Sequence, residues 1–297
     1  MSLKYPKISI VTPNYNGAAF LEETIKSVLN QNYPNLEYII IDGGSTDGSL
    51  EIIKKYEKHL AYWVSERDTG LYDAVQKGFE KSTGEIMAWI NSDDMYTRGA
   101  FSIVSEIFSN FKDVHWLMGI PAVYDEAGRT IQVDNFKRWS KFMYYSNNFE
   151  WIQQESVFWR RYLWNASGAK INKNLKLAGD LELWTRFFRF EKLYSVHALL
   201  SGFRMRSKNQ LSLENSDEYY VEANEVLKLE VDSKISESDF NITNKIRSLK
   251  KRKNNSNYFM RLVFNFFIKK IEVKHFNYAP LITFDRVKQS FIIKELE

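Results

Sequence analysis

The chain has 297 residues, 44% of them hydrophobic and 26% charged, with a net charge of +4. These are values for a soluble globular protein that can bury one large core, alone or with a smaller appended piece. So small a positive excess, not laid out as a stripe, gives no reason to expect a nucleic-acid partner. The absence of cysteine excludes disulfides, thiolate zinc sites and a cysteine nucleophile, fits a reducing compartment, and leaves oxygen or imidazole to bind any metal.

The opening Met1–Lys7 has no apolar segment of signal-peptide length, and export is not expected. From Ile8 onward short apolar strands alternate with helical patterns. A strand at Ile8–Val11 is followed by a helix over Phe20–Leu29, a strand Tyr38–Ile41, a helix Ser49–Tyr56, a strand Ala61–Ser65, a helix Tyr72–Lys81 and a strand Ile86–Ile90. This rhythm predicts an α/β fold, a mostly parallel central sheet flanked by helices. In such sheets ligands bind beyond the carboxyl ends of the strands. Four polar, turn-rich segments fall there: Thr12–Gly17, Asp42–Gly48, Glu66–Gly70 and Asn91–Asp94. Beyond Phe111 the pieces shorten. Val123–Ile131 reads as two strands joined by a turn, extending the sheet in mixed fashion, and helical texture returns over Asp180–Phe190 and Asp217–Val231, with a strand-like Leu193–Leu199 between them. After about Ser233 the chain turns polar and basic.

Adjacent carboxylates at a strand end resist joint ionisation unless a cation sits beside them. A hard divalent ion such as Mn²⁺ or Mg²⁺ meets that need through one or two carboxylates plus substrate phosphates. The competing reading of Asp93-Asp94 is a turn capping a helix that starts near Gly99. Asp42, at the end of an apolar strand and before two glycines, can reach a nucleobase or ribose, or can form an Asx turn into a helix capped by Asp47. Gly43–Gly48 is neither a GxGxxG fingerprint nor a Walker loop, so nicotinamide and ATP-hydrolysis readings lose their support.

Thr12-Pro13-Asn14-Tyr15-Asn16, Leu29–Tyr38, Asp42–Gly48, Asp68–Ala74, Thr83–Ile86 and Asn91–Asp94 together resemble family 2 glycosyltransferases. The resemblance is strong over about residues 6 to 100, weaker to about 215 and absent afterwards. It implies a glycosyltransferase A fold, a nucleotide-diphosphate sugar donor (UDP- or GDP-linked), a divalent metal and inversion at the anomeric carbon. It also implies donor contacts from Thr12, Pro13, Asn14, Tyr15, Asn16, Asp42, Gly43, Asp68, Asn91, Ser92 and Gln154, with Asp93 on the metal. Asn91 stands where the family's DxD motif begins with a carboxylate, and Asp94 is the substitute. Ala178–Trp184 resembles the segment whose first acid is the general base, which assigns that role to Asp180; on local grounds Asp180 equally suits a helix N-cap, and Glu182 points elsewhere. Arg160 and Arg161 read either as site residues or as solvated ends of an aromatic strand. Arg204 or Arg206 is a candidate partner for pyrophosphate, and His197 reads as a core residue within a strand.

These readings divide the chain into a catalytic domain over 1–232, with a nucleotide-sugar half to about 110 and an acceptor half over 111–232, and a helical, basic extension over 233–297. Lys250–Lys253 and Lys269-Lys270 bracket an aromatic segment, Tyr258–Ile268. It suits peripheral contact with the inner face of the cytoplasmic membrane or, equally, packing on the domain or on a second subunit. Its apolar run Leu262–Ile268 is far shorter than the roughly 20 residues of a spanning helix. The expected enzyme is therefore a cytoplasmic glycosyltransferase extending a saccharide or lipid-linked acceptor in surface-polysaccharide biosynthesis. The alternatives are a nucleotidyltransferase of similar rhythm, although Thr12–Asn16 lacks the basic phosphate loop, and an inactive membrane-bound scaffold.

Overall fold

The computed structural model describes residues 5–147, 151–207 and 215–295. The first half follows the expected alternation: β1 (Ile8–Asn14), α1 (Ala18–Leu29), β2 (Leu36–Asp42), α2 (Ser49–Tyr56), β3 (Tyr62–Ser65), α3 (Leu71–Lys81) and β4 (Ile86–Trp89). β1 is buried along its whole length, as are all but the first residue of β2. This is why both read as nearly unbroken apolar runs: helices cover both faces. β1 extends past Pro13 because β4 pairs with it only from Ile8 to Val11, so Thr12–Asn14 have a strand on one side alone and a proline is tolerated. The space beyond the shorter β4 is where Asn91–Asp94 fold.

The second half adds β5 (Met95–Tyr96), α4 (Ala100–Asn110), β6 (Trp116–Met118), β7 (Ala122–Tyr124), β8 (Thr130–Val133), α5 (Lys141–Tyr145), β9 (Val157–Arg160), α6 (Arg161–Ala166), α7 (Gly179–Phe187), β10 (Tyr194–Val196) and β11 (Ser201–Arg204). It ends with α8 (Ser216–Ser233), α9 (Glu237–Asn254), α10 (Tyr258–His275), β12 (Leu281–Asp285) and β13 (Ser290–Lys294). Among the described residues the central sheet runs β13-β12-β10-β6-β9-β4-β1-β2-β3, and a smaller one runs β5-β11-β7-β8. Two expectations are corrected. The β7–β8 hairpin forms as read but lies in the smaller sheet. The basic extension is helical to His275 and then returns as β12 and β13, with β12 pairing parallel to β10. These strands are short and partly exposed, so the local pattern carried little signal.

Between sheet and helices lies an aromatic core. Trp89 and Trp184 stack at 5.8 Å, and Trp159 meets both edge-on. Phe79 of α3 packs on Trp89 and Trp159, and Phe187 of α7 on Trp116 and Trp159. Each such side chain contributes about 2–3 kcal/mol of burial, and together they fix α3 and α7 against the strands that carry the site. Arg160 and Arg161 belong to this framework and are not solvated ends. Arg160 bonds the carbonyls of Phe108, Phe111 and Val114 (3.2 Å or less) and Glu85 Oε1 (2.6 Å), capping the end of α4. Arg161 donates to Gly84 O (2.7 Å) and Ser82 Oγ (2.9 Å). Among the described residues no helix is long and apolar enough to cross a membrane.

Candidate active site

Chain order along the sheet reverses at β1, with β2 and β3 on one side and β4 on the other. The crevice at such a switch point is the expected ligand site. On its β2 side, Asp42 is fully buried. Its Oδ1 accepts Asn14 Nδ2 (2.7 Å) and Ser45 Oγ (2.5 Å); its Oδ2 accepts Gly44 N (3.2 Å), Ser45 N (2.9 Å) and Ser65 Oγ (2.6 Å). Burial pushes its pKa up, but the bonds from Ser45 and Ser65 outweigh it and the net shift is downward. A carboxylate with five donors ties three strand ends together and has little capacity left for a ligand, so the Asx-turn reading of Asp42 is realised. Thr12 is likewise enclosed, bonded to Tyr38 Oη at 3.1 Å, and Pro13 is buried.

Exposed surface here comes from Tyr15 (68% exposed), Asn16 and half-buried Asp68. Asn16 takes a left-handed φ of 49° and is held by Thr46 N on its Oδ1 (2.9 Å) and by Ser45 Oγ on its own amide (2.8 Å). Asp68 accepts Gly70 N (2.9 Å), and its pKa is raised, chiefly by burial. A Cβ on Gly43 would lie 2.7 Å from Asp68 Oδ2. The close approach that the glycine allows is therefore that of Asp68.

On the β4 side the four residues of Asn91–Asp94 part company. Asp94 points inward, 1% exposed, with Arg204 N on its Oδ1 (2.8 Å) and Asn91 Nδ2 near its Oδ2 (3.3 Å). Asn91, Ser92 and Asp93 are half-buried. Arg204 is fully buried and stacks over Phe20. It donates to Asp93 O (2.7 Å), Glu126 O (2.7 Å) and Glu23 Oε2 (2.6 Å), welding the turn to α1 and the smaller sheet. It is not placed to pair with pyrophosphate. Arg206 instead faces the site and contacts Asp93 Oδ2 at 3.0 Å. Burial raises the Asp93 pKa against the pull of Arg206. The helix-cap reading of Asp93-Asp94 fails, because α4 begins at Ala100 behind an N-cap, Gly99, in left-handed conformation with no side-chain cap.

Asp180 lies in the first turn of α7, one residue inside Gly179, and is not its N-cap. Its Oδ1 accepts Leu181 N (2.8 Å) and lies 3.5 Å from the Tyr72 hydroxyl, which donates to Leu177 O (2.8 Å). Gly179 packs on the Tyr72 ring, where a Cβ would sit 2.7 Å from ring carbons. Burial pushes Asp180 up to about 6. Glu182, two residues along and on another side of the helix, is occupied by Arg186. The approach to α7 is held by Glu222 of α8, whose carboxylate accepts the amides of Lys176, Leu177 and Ala178 at 2.8–3.2 Å. Sequence reading missed Tyr72, Glu222 and Glu155. Gln154 donates Nε2 to Trp89 O (2.7 Å), pinning it to the end of β4. The neighbouring Glu155 is 3% exposed and pushed to about 8 by burial, with the charges of Asp93 and Asp180 adding to it. His197 is not a core residue: it is exposed, with Phe136 edge-on.

Three buried oxygens at this centre, Asn91 Oδ1, Gln154 Oε1 and Glu155 Oε1, have no hydrogen-bond donor. Open oxygens beside carboxylates that repel one another suit a hard divalent cation. Among the described residues no three acidic or histidine side chains converge as a complete metal cage. The donor set thus fits an ion held through Asp93 with substrate phosphates and water completing the shell.

Residues 9–165, more than half of the chain, match the family model described as glycosyl transferase family 2. The chain belongs to glycosyl transferase family 2. Membership stands against the nucleotidyltransferase alternative. Among relatives, a putative teichuronic acid biosynthesis glycosyltransferase, TuaG of Bacillus subtilis, is 38% identical over 98 residues, 31% of this chain and 38% of that protein. An uncharacterized glycosyltransferase of Rickettsia typhi is 27% identical over 206 residues, 67% of this chain and 64% of its own length. The matched region thus spans between about a third and two thirds of these relatives. S. aureus TarS residues 1–349, solved with UDP-GlcNAc, superposes with a TM-score of 0.65 at 17% identity, over 80% of this chain and 70% of that one. The likeness in fold extends well beyond residue 165.

Proposed function

We propose that the chain is a metal-dependent, inverting glycosyltransferase that moves a sugar from a UDP- or GDP-sugar to a hydroxyl of a saccharide or lipid-linked acceptor, in the making of cell-surface polysaccharide. The names carried by TuaG and TarS support the biosynthetic setting and a UDP-linked donor. One observation carries the mechanism: Asp180, raised to about 6, sits in the first turn of α7 with its second oxygen uncommitted to backbone. A carboxylate with that pKa is ionised at neutral pH yet basic enough to take a proton as a hydroxyl attacks.

In this reading residues up to about 110 hold the donor, and 111–232 supply the base and the acceptor side. The exposed Tyr15 ring offers a face for the nucleobase, with Asn16 and Asp68 at its edges. Asp42 and Asn14 act behind them by fixing the loop. Asp93 would hold a manganese or magnesium ion with Asn91 and Ser92 beside it, while Asp94 and Arg204 fix the turn from below. When bound, the ion neutralises the pyrophosphate as it departs. Asp180 takes the proton from the acceptor hydroxyl, whose oxygen forms the new bond to the anomeric carbon on the face opposite the leaving nucleoside diphosphate. The configuration therefore inverts.

A thermal-shift panel of UDP- and GDP-sugars, with and without manganese, tests this, because a ligand that binds the native state raises its melting point. The expected result is a rise for one nucleotide class that grows with metal, and Asp93→Asn keeps the fold but loses the metal-dependent part. The same rise in excess chelator would remove the metal from the reading.

A further inference from the structure

The α9–α10 hairpin carries a surface that the transfer reaction does not use. Of eighteen residues in α10, only Ile268 and Ile271 are buried. Tyr258, Phe259, Leu262, Phe266 and Phe267 are all between 47% and 79% exposed. Packing on the catalytic domain, one of the two roles open to this segment from sequence, therefore does not account for them. Phe259, Leu262 and Phe266 follow one another at helical spacing and form a stripe. Scattered apolar residues on a surface need no explanation, but a run of large ones at the tip of one hairpin does.

The charge around the stripe identifies what covers it. Residues 250–275 hold eight Lys and Arg and one acid, Glu272. Lys251, Arg252 and Lys253 end α9 just before the stripe, Arg261 lies within it, and Lys269 and Lys270 follow, the last lying 4.6 Å over the Phe266 ring. A second copy docking through this face would bring two such cationic sets together. An acidic surface complements them, and aromatic side chains flanked by cations match the boundary between headgroups and acyl chains. α10 is too polar to span a bilayer, so it would lie in the surface plane.

We propose that the tip of the α9–α10 hairpin docks the protein on an anionic lipid bilayer, with Phe259, Leu262 and Phe266 entering the interface and the surrounding Lys and Arg meeting the headgroups. The inference is independent of which donor or acceptor the active site takes. Each cation near such a surface strengthens binding about fivefold, so the interaction weakens steeply with salt.

The experiment is vesicle flotation of the full chain with pure phosphatidylcholine and with phosphatidylcholine mixed with phosphatidylglycerol. Strong flotation with the anionic vesicles alone is expected. F259S/F266S and K251E/K253E should each lose it by about tenfold or more while keeping the parent's melting temperature and nucleotide-induced thermal shift. Absence of flotation, or equal flotation with both vesicle types, overturns the proposal. So does a dimer in light scattering that F259S/F266S converts to monomer, which would make the stripe a contact between copies.

Discussion

Asp42 closes the strand β2 and Asp180 lies in the first turn of α7, and they differ in what surrounds their oxygens. Asp42 is saturated by five donors and its pKa is lowered; Asp180 has one backbone amide and a distant tyrosine, and its pKa is raised. The contrast extends to their neighbours. The loops after β1 and β2 bond mainly to one another and leave only Asn14 Oδ1 there without a donor among the described residues, whereas the centre formed by Asn91, Gln154 and Glu155 keeps three such oxygens. A carboxylate whose bonds are complete serves as scaffold, and one held with bonds to spare is available for chemistry.

Four substitutions or conditions sharpen that contrast. Asp180→Asn removes the proposed base and should lower kcat by about 10³-fold, with donor affinity unchanged by calorimetry. The same substitution should raise stability, by about 1–3 kcal/mol in urea unfolding, since it deletes a charge that the fold disfavours. Asp42→Ala should do the reverse, costing about 3 kcal/mol by leaving buried donors unpaired while the folded fraction keeps most of its kcat.

Acidity separates the two as well. As the proposed base Asp180 acts only when ionised, so kcat should fall about tenfold per pH unit below about 6, and this limb should be read from kcat at saturating donor and acceptor. In stability the signs oppose. Asp180, raised in the fold, favours the native state when protonated, and that contribution is lost as pH climbs from 3.8 to about 6. Asp42, lowered in the fold, stabilises above its ordinary value of 3.8, and that contribution is lost as pH falls below it. The smallest effect belongs to Glu222→Gln, which weakens the bonds to the Lys176–Ala178 amides. It should reduce kcat a few-fold, about 1 kcal/mol, without changing donor affinity.

The sheet rhythm was legible because β1, β2 and β4 are buried on both faces and announce themselves as apolar runs. The strand-end loops were legible because their turn residues have short-range causes. What stayed hidden acts across long sequence separations. Arg160 and Arg204 look like surface cations until carbonyls 46–111 residues away are seen to surround them. Asp42 read equally as a ligand contact or an Asx turn because Ser65, its partner at the end of β3, has no local signature. Glu155 and Glu222 have ordinary neighbours in sequence, and only burial or three converging amides mark them.

The pairing of β12 with β10 has a consequence for how the protein is made. The edge of β10 stays open until a segment about 85 positions later has been synthesised, so an emerging chain carries an unpaired parallel edge while the α9–α10 hairpin is still being added. Truncation near residue 232 would leave that edge permanently uncovered, with the aggregation risk of any bare strand. The basic hairpin is in this sense an excursion tethered at one end by α8, which packs on α5 and α7, and at the other by β12 in the sheet, and a test of its role calls for substitutions at its tip in place of its removal.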